Sequence, residues 1–328
     1  MNKLSIFGSA RVDAFMEIPD GKANKKCSLD TKKCVIELSY AAKISMNNVT
    51  FLAGGNGANV AIGAKRMGVE SALVAELGEG ALADYVKEVL SHEITLDYVT
   101  QSEGVNQGFG AVIVYQGERT ILSYYAPKQP PFPDNLEVSD WAYLTSVGEN
   151  FEGFYEDVYN WLMSTGAKLA FNPGGRQIAK GKSWLAKYLS RTQVVFSNRE
   201  EAEKIVGLAE SHGKEKELLE KYLALGPTTV VITDGEGGSY AAHNGNFYKV
   251  GVIPVTSVER TGAGDAYSTG FLAATINGFG IEDSLLCGTI NAASVIGFIG
   301  PQQGLLDLTS INERLNKAKE SGLNVTQF

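Results

Sequence analysis

The chain reads as an α/β protein, in which a central, largely parallel sheet is flanked by helices on both faces and carries a small β-sheet lid. Three observations point there. Short apolar runs alternate with helix-like segments along most of the 328 residues, the rhythm of parallel strands joined by crossover helices. Two stretches, 12–52 and 107–126, break that rhythm by being β-rich without intervening helices. Finally, two glycine-rich segments, 54–68 and 261–265, each lead into a helical pattern, an arrangement that turns backbone N–H groups toward an anion.

Leu4-Ser5-Ile6-Phe7-Gly8 opens the core as a buried strand, and Gly8-Ser9-Ala10-Arg11-Val12-Asp13 then carries an acid just past its end. Further core strands are expected at 71–77, 141–147, 167–172, 193–197 and 228–233, with helices near 58–67, 81–91, 151–165, 199–206, 213–224, 264–277 and 282–299. Residues 1–11, 53–106 and 127–328 are expected to make up the α/β core. The lid over the substrate site combines 12–52, with Cys34-Val35-Ile36-Glu37-Leu38, and 107–126, with Ala111-Val112-Ile113-Val114-Tyr115. Its closure would keep water from a transferring phosphoryl group.

The most informative segment is Glu259-Arg260-Thr261-Gly262-Ala263-Gly264-Asp265. Gly262, Ala263 and Gly264 present free N–H groups at a helix N-terminus, where the macrodipole favours an anion such as a polyphosphate. Asp265 adds a negative charge to the same cradle, a costly placement unless it accepts a proton from an attacking hydroxyl. The helix that follows has small residues at 266, 270 and 273 that allow close packing. In the 54–68 segment, Asn59 can donate and accept at once, which suits sugar hydroxyls, and Asp13 can grip two hydroxyls. Val194-Val195-Phe196-Ser197-Asn198 runs into Asn198-x-x-Glu201, oxygens that suit a hydrated magnesium beside phosphates or an ordinary helix cap. Val230-Val231-Ile232-Thr233-Asp234-Gly235-Glu236-Gly237-Gly238 is a strand entering a glycine turn that can wall a nucleotide pocket.

These elements, in this order, resemble the ribokinase-like sugar and nucleoside kinases of the PfkB family, and the resemblance spans nearly the whole chain. It implies a ribokinase-like fold, ATP and Mg2+ as cofactors, with a monovalent cation as an optional addition. It implies Asp265 as catalytic base and Gly262, Ala263 and Gly264 as anion hole. Asp13, Gly54, Gly55 and Asn59 match substrate contacts, and Arg11 joins that set. Asn198, Thr233, Gly235, Gly238, Thr261 and Asn291 lie around the nucleotide, with Glu201 and Asn198 organising magnesium, through water. The expected activity is phosphoryl transfer to a hydroxyl of a sugar or sugar derivative. A nucleoside kinase on the same fold is the alternative, and a non-catalytic sugar or nucleotide sensor comes third. A homodimer through the lid is allowed.

Two departures from the family pattern bear on specificity. Arg11 stands where ribokinases proper usually carry an asparagine. If it faces inward it favours an acceptor with a carboxylate or phosphate; if outward, a neutral sugar or nucleoside. Glu259 and Arg260 replace the more usual acid-and-hydroxyl pair, which leaves monovalent-cation dependence open. Arg176, after Asn172-Pro173-Gly174-Gly175, is either a phosphate contact or a solvated loop residue.

Composition sets the outer limits. A formal net charge of −8 argues against nucleic acid as partner. No apolar run approaches a membrane span, and the first residues lack the pattern of a secretory signal, so the cytoplasm is the default location. His92, His212 and His243 have no metal-ligand spacing. Cys27 and Cys34 flank a hairpin tip and could face each other, but free thiols are the expectation for a cytoplasmic chain. Lys22, Lys25, Lys26, Lys32 and Lys33 gather at one end of the lid, where they either steer an anion or block edge pairing.

Overall fold

The structure, a computed structural model, describes residues 3–27 and 34–328. Lys32 and Lys33 lie outside the described residues; Lys22, Lys25 and Lys26 are exposed, and Lys26 pairs with Glu37 at 2.8 Å. Among the described residues ten strands form one sheet. In spatial order, Val99–Asn106, Glu70–Glu79, Lys3–Phe7, Trp141–Thr145, Lys168–Asn172, Thr192–Asn198 and Thr229–Thr233 run parallel. Ser239–His243, Asn246–Val250 and Val325–Gln327 extend the sheet antiparallel. All six core strands read from the sequence are present and adjacent. Val99–Asn106 and the three antiparallel strands lie beyond those six: Val99–Asn106 and Val325–Gln327 are the sheet's two edges, and the inner pair, Ser239–His243 and Asn246–Val250, are short and broken by polar residues, so none of the four carries a continuous apolar run.

Side-chain alternation along each strand feeds two apolar layers. On the first strand Ile6 enters the layer under Ala263–Ile276, while Phe7 enters the opposite layer under Glu152–Thr165. The seven helices anticipated are Asn56–Arg66, Ala81–Glu93, Glu152–Thr165, Arg199–Val206, Glu215–Leu223, Ala263–Ile276 and Ile281–Val295; Gly175–Ala179, Lys182–Leu189 and Leu308–Glu320 join them. Ala263–Ile276 is apolar nearly all round and accordingly buried. Its small residues permit that. A Cβ on Gly270 would stand 2.6 Å from the Cys287 carbonyl oxygen, and a Cβ on Gly63 of the neighbouring helix would stand 2.6 Å from Thr269 Cγ2.

The second sheet has four strands, in the order Asn48–Gly54, Arg11–Glu17, Phe109–Tyr115 and Glu118–Tyr124. Pairing places Asp13 opposite Gly110, and Gly110 opposite Ser123, so Arg11, Asp13, Gly110, Arg119 and Ser123 share one face. A separate two-stranded pair, Asn24–Cys27 with Cys34–Glu37, sets Cys27 directly opposite Cys34, and the two form a disulfide. This corrects the free-thiol expectation: a compartment argument was outweighed by register, which brings the two Cα atoms to 4.0 Å. No helix among the described residues is long and apolar enough to cross a membrane.

The strand Lys3–Phe7 lies between neighbours reached in opposite directions along the sheet, so a crevice opens beyond its carboxyl end. That edge also collects the ends of the other parallel strands, where Thr145 pairs with Asn172 and Asn198 with Thr233.

Candidate active site

Gly262 caps the helix Ala263–Ile276 with φ of 79°, a backbone state that favours glycine, and a Cβ there would overlap Pro301. The first helical bond runs from the Ala266 N–H to the Gly262 carbonyl at 2.8 Å. The N–H groups of Gly264 and Asp265 therefore stand ahead of the intrahelical ladder, and Gly264 is exposed. Asp265 is half-buried in the first turn, and its Oδ2 accepts a 2.8 Å bond from Asn59 Nδ2. Burial is the main cause that pushes its carboxyl up to about 7; Asp13 and Glu201 add to the rise, whereas the Asn59 bond and the Arg11 charge oppose it. Asn59 is buried and its Oδ1 accepts from Gln302 Nε2 at 3.1 Å, so its amide orientation is set from both ends. A second chain of contacts fixes the helix from below. The Asn172 amide donates to the Tyr143 hydroxyl at 3.0 Å, Tyr143 and Ser268 share a 2.9 Å bond, and Ser268 donates to the Asp265 carbonyl at 3.0 Å.

Arg11 faces inward. Its Nε lies 2.9 Å from Asp13 Oδ1, Nη1 donates to Ser123 Oγ at 3.3 Å, and its side chain is 14% exposed. Nη2 has no protein acceptor among the described residues. Asp13 is buried, which raises its carboxyl, with the Arg11 charge pulling the other way. Two glycines make room for it: a Cβ on Gly54 would stand 2.6 Å from Asp13 Oδ2, and one on Gly110 would overlap Oδ1. A Cβ on Gly55, with φ of 100°, would meet the Ser9 carbonyl oxygen at 2.5 Å. Beside Arg11 a cavity of about 40 Å³ is lined by Ser9, Glu76, Tyr124, Lys128 and Gln129. Tyr125 borders it too, and carries the Arg176 guanidinium over its ring at 4.4 Å, with Glu149 pairing Arg176 at 3.0 Å. A larger groove, of about 720 Å³, lies at the other ends of the strands beside Asp140, Lys168 and His243, and holds none of the residues above.

Asn198 and Glu201 form a complete capping box: the Glu201 N–H donates to Asn198 Oδ1 at 2.9 Å, and the Asn198 N–H to Glu201 Oε2 at 3.0 Å. Burial raises the Glu201 carboxyl, opposed by that backbone bond. Its Oε1 accepts nothing from the protein among the described residues. Thr233 ends its strand; Gly235, with φ of 50°, opens a short 3-10 turn, and a Cβ on Gly238 would overlap the Val250 carbonyl oxygen. Arg199 ties this turn down through Asp234 at 2.8 Å and Glu215 at 3.1 Å. Asn291 does not reach the cleft. It is fully buried, with Nδ2 donating to the Ala266 carbonyl at 2.8 Å and Oδ1 accepting from the Leu306 N–H at 3.0 Å; its expected nucleotide contact gives way to a strut between helix and loop. Thr261 is buried too, donating from its N–H at 2.7 Å and its hydroxyl at 2.5 Å to Glu259 Oε1.

A model of the pfkB family of carbohydrate kinases matches residues 21–307. The chain belongs to that family. As a pfkB carbohydrate kinase it is 22% identical to an ATP-dependent 6-phosphofructokinase of Thermoanaerobacterium thermosaccharolyticum, over 81% of this chain and 85% of that protein. It is 25% identical to the fructoselysine 6-kinase of Escherichia coli, over 75% of this chain and 90% of that one. Among solved structures, Arabidopsis thaliana ribokinase complexed with ribose and ATP superposes with a TM-score of 0.77 at 21% identity, covering 96% of this chain and 98% of that one. A Methanocaldococcus jannaschii nucleoside kinase superposes with a TM-score of 0.75 at 20% identity, covering 97% and 99%. The ribokinase-like fold, with a large mostly parallel sheet and a separate small one, is thereby established.

In this pfkB kinase the structure adds cleft residues that sequence reasoning passed over. Gly110 had a signal, since a lone glycine inside a strand often marks a close approach. Gln302, Pro301 and Arg119 had none, because each acts through a partner remote in sequence.

Proposed function

We propose that this kinase transfers the γ-phosphoryl group of ATP to a hydroxyl of a sugar or sugar derivative, with Asp265 as general base and the backbone at Gly262–Gly264 as anion hole. The observation that carries this reading is the placement of the Asp265 carboxyl in the first turn of a helix whose Gly264 and Asp265 N–H groups stand ahead of the helical ladder, the Ala263 N–H being taken by the Arg260 carbonyl at 3.3 Å; burial pushes that carboxyl up to about 7. A base is most effective when its pKa lies near the working pH. Asp265 would take the proton of the attacking hydroxyl as its oxygen bonds to γ-phosphorus and the bond to the bridging oxygen of ADP breaks. The Gly264 and Asp265 N–H groups would hold the charge on the transferring oxygens.

Asp13, held by Arg11 and given space by Gly54 and Gly110, would orient the acceptor's hydroxyls. With Arg11 turned inward and its Nη2 without a protein acceptor among the described residues, the site favours an acceptor that carries a carboxylate or phosphate. Magnesium fits the residues present in a limited way. No three acidic, histidine or cysteine side chains gather among the described residues, but Glu201 Oε1 is unengaged close enough to Asp265 to influence its charge. Glu201 and Asn198 would hold the ion through water, and when bound it would neutralise phosphate charge. The deciding experiment measures magnesium-dependent ADP formation on a panel of neutral sugars, sugar acids, sugar phosphates and nucleosides. Asp265→Asn should lower kcat on the best acceptor by about two orders of magnitude or more with ATP affinity little changed. Near-normal turnover in that variant would refute Asp265 as base, and a response confined to nucleosides would transfer the reading to a nucleoside kinase.

A further inference from the structure

We infer that Arg119, delivered by the small sheet, is a positioning residue for the anion-hole segment: its guanidinium is the counter-charge of the buried Glu259 and holds Thr261–Asp265 in register. The inference rests on the kinase reading above for its catalytic consequence, though not for its structural one. Glu259 is 4% exposed and lies two residues before Thr261, whose N–H and hydroxyl both bond its Oε1. A buried carboxylate needs a positive partner as well as hydrogen bonds. Among the described residues the cation within ion-pair distance is Arg119, with Nε 3.4 Å from Glu259 Oε1. The same guanidinium donates from Nη2 to the Arg260 carbonyl at 3.1 Å, so it grips both side chain and backbone of the segment that leads into Gly262. Among the described residues Glu259 Oε2 is buried without a hydrogen-bond donor, so the charge of Arg119 is not supplemented there by a hydrogen bond.

Arg119 belongs to strand Glu118–Tyr124, on the face that also carries Asp13, Arg11 and Ser123. The sheet that shapes the acceptor side therefore also supplies the charge that seats the phosphate side. Seating the small sheet brings Arg119 to Glu259; lifting it would strand the buried carboxylate and loosen the Thr261 turn. Nearby, Arg260 reaches Glu236 of the 3-10 turn at 3.4 Å and Glu118 at 3.9 Å, exposed contacts that add little.

The test compares Arg119→Ala, Arg119→Lys and, on the opposite face of the same strand, Thr120→Ala. Backbone hydrogen exchange of residues 259–265 is read first, because it needs no turnover; kcat and KM follow on whichever acceptor the panel identifies. Arg119→Ala should speed exchange in that segment about tenfold and lower kcat about tenfold with the acceptor KM changing less, since a partly exposed pair is worth less than a fully buried one. Added methylguanidinium should restore part of both, Arg119→Lys should fall between, because an ammonium cannot engage carboxylate and carbonyl as a planar fork, and Thr120→Ala should match the parent. The inference is overturned if exchange at 259–265 stays within about twofold of the parent, or if the change spreads evenly over the small sheet. A loss without guanidinium rescue, or one shared by Thr120→Ala, overturns it as well. Should the parent phosphorylate nothing on the panel, the kinase reading fails, while the exchange result still decides the role of Arg119.

Discussion

Replacing Asn59 by alanine should move the pH at which the enzyme switches on. Asn59 Nδ2 donates a 2.8 Å bond to Asp265 Oδ2, and this bond favours the ionised carboxylate. A hydrogen bond to a charged group contributes about 1.5–3 kcal/mol, which at about 1.36 kcal/mol per pH unit is a shift of about one to two units. Asp265 is half-buried, so water can replace part of the lost bond, and the lower end applies. The direction follows from the charge. Losing a donor to the anionic form raises the carboxyl further above its present value of about 7, so a larger fraction is protonated, and inactive as a base, at neutral pH. The assay is the pH profile of kcat/KM, which reports groups of the free enzyme. Its acid limb should have a midpoint near 7 in the parent and about one unit higher in Asn59→Ala, with activity recovering at alkaline pH. Gln302→Ala, which frees the other end of the same amide by removing a 3.1 Å bond, should shift the limb in the same direction by less. If Asn59→Ala lowers activity equally at every pH, the bond does not tune Asp265, and the assignment of the limb to that carboxyl is wrong.

Other outcomes follow from the same geometry. Gly110→Ala should drive a methyl group into Asp13 and raise the acceptor KM about tenfold or more with the ATP KM nearly unchanged, because overpacking a tight site costs about 1–3 kcal/mol; steady-state kinetics on both substrates checks this. Glu201→Gln should keep the Asn198 cap, since the side-chain amide oxygen can still accept, yet raise the magnesium concentration for half-maximal rate, and an unchanged titration would leave the pair with only its capping role. Arg11→Ala should weaken an anionic acceptor more than a matched neutral one; an equal effect on both would remove the preference for charge. The outer face of the small sheet exposes Val49, Phe51 and Leu122, apolar groups suited to a partner copy. Sedimentation should therefore show a dimer that Leu122→Lys dissociates, whereas a monomeric parent would refute that arrangement.

The order and type of the six core strands, and the two glycine-rich helix entries, were legible in the residues alone. Both depend on information held within a few residues: the apolar runs of Leu4–Phe7 and Val230–Ile232, and glycine at Gly55 and Gly262, where φ is positive. The sequence also placed Asp13 and Asp265 at chain positions from which a site could be built, and left open whether Asn198 and Glu201 form an ordinary helix cap. What it could not decide were facts of separation and burial. Asn59 meets Asp265 across 206 residues, Gln302 meets Asn59 across 243, and Arg119 meets the Arg260 carbonyl across 141. No periodicity encodes those distances. Arg11 could have pointed either way along an extended strand; Asp13 beside it and Ser123 two strands over turn it inward. Asn291 has the chemistry of a ligand contact, but close packing of its helix against Ala263–Ile276 commits its amide to two backbone groups. A compartment argument favours free thiols at Cys27 and Cys34, but strand register sets them face to face as a disulfide. In each case the side chain's identity was legible, and its partner was settled by which surfaces the folded sheet and helices brought together.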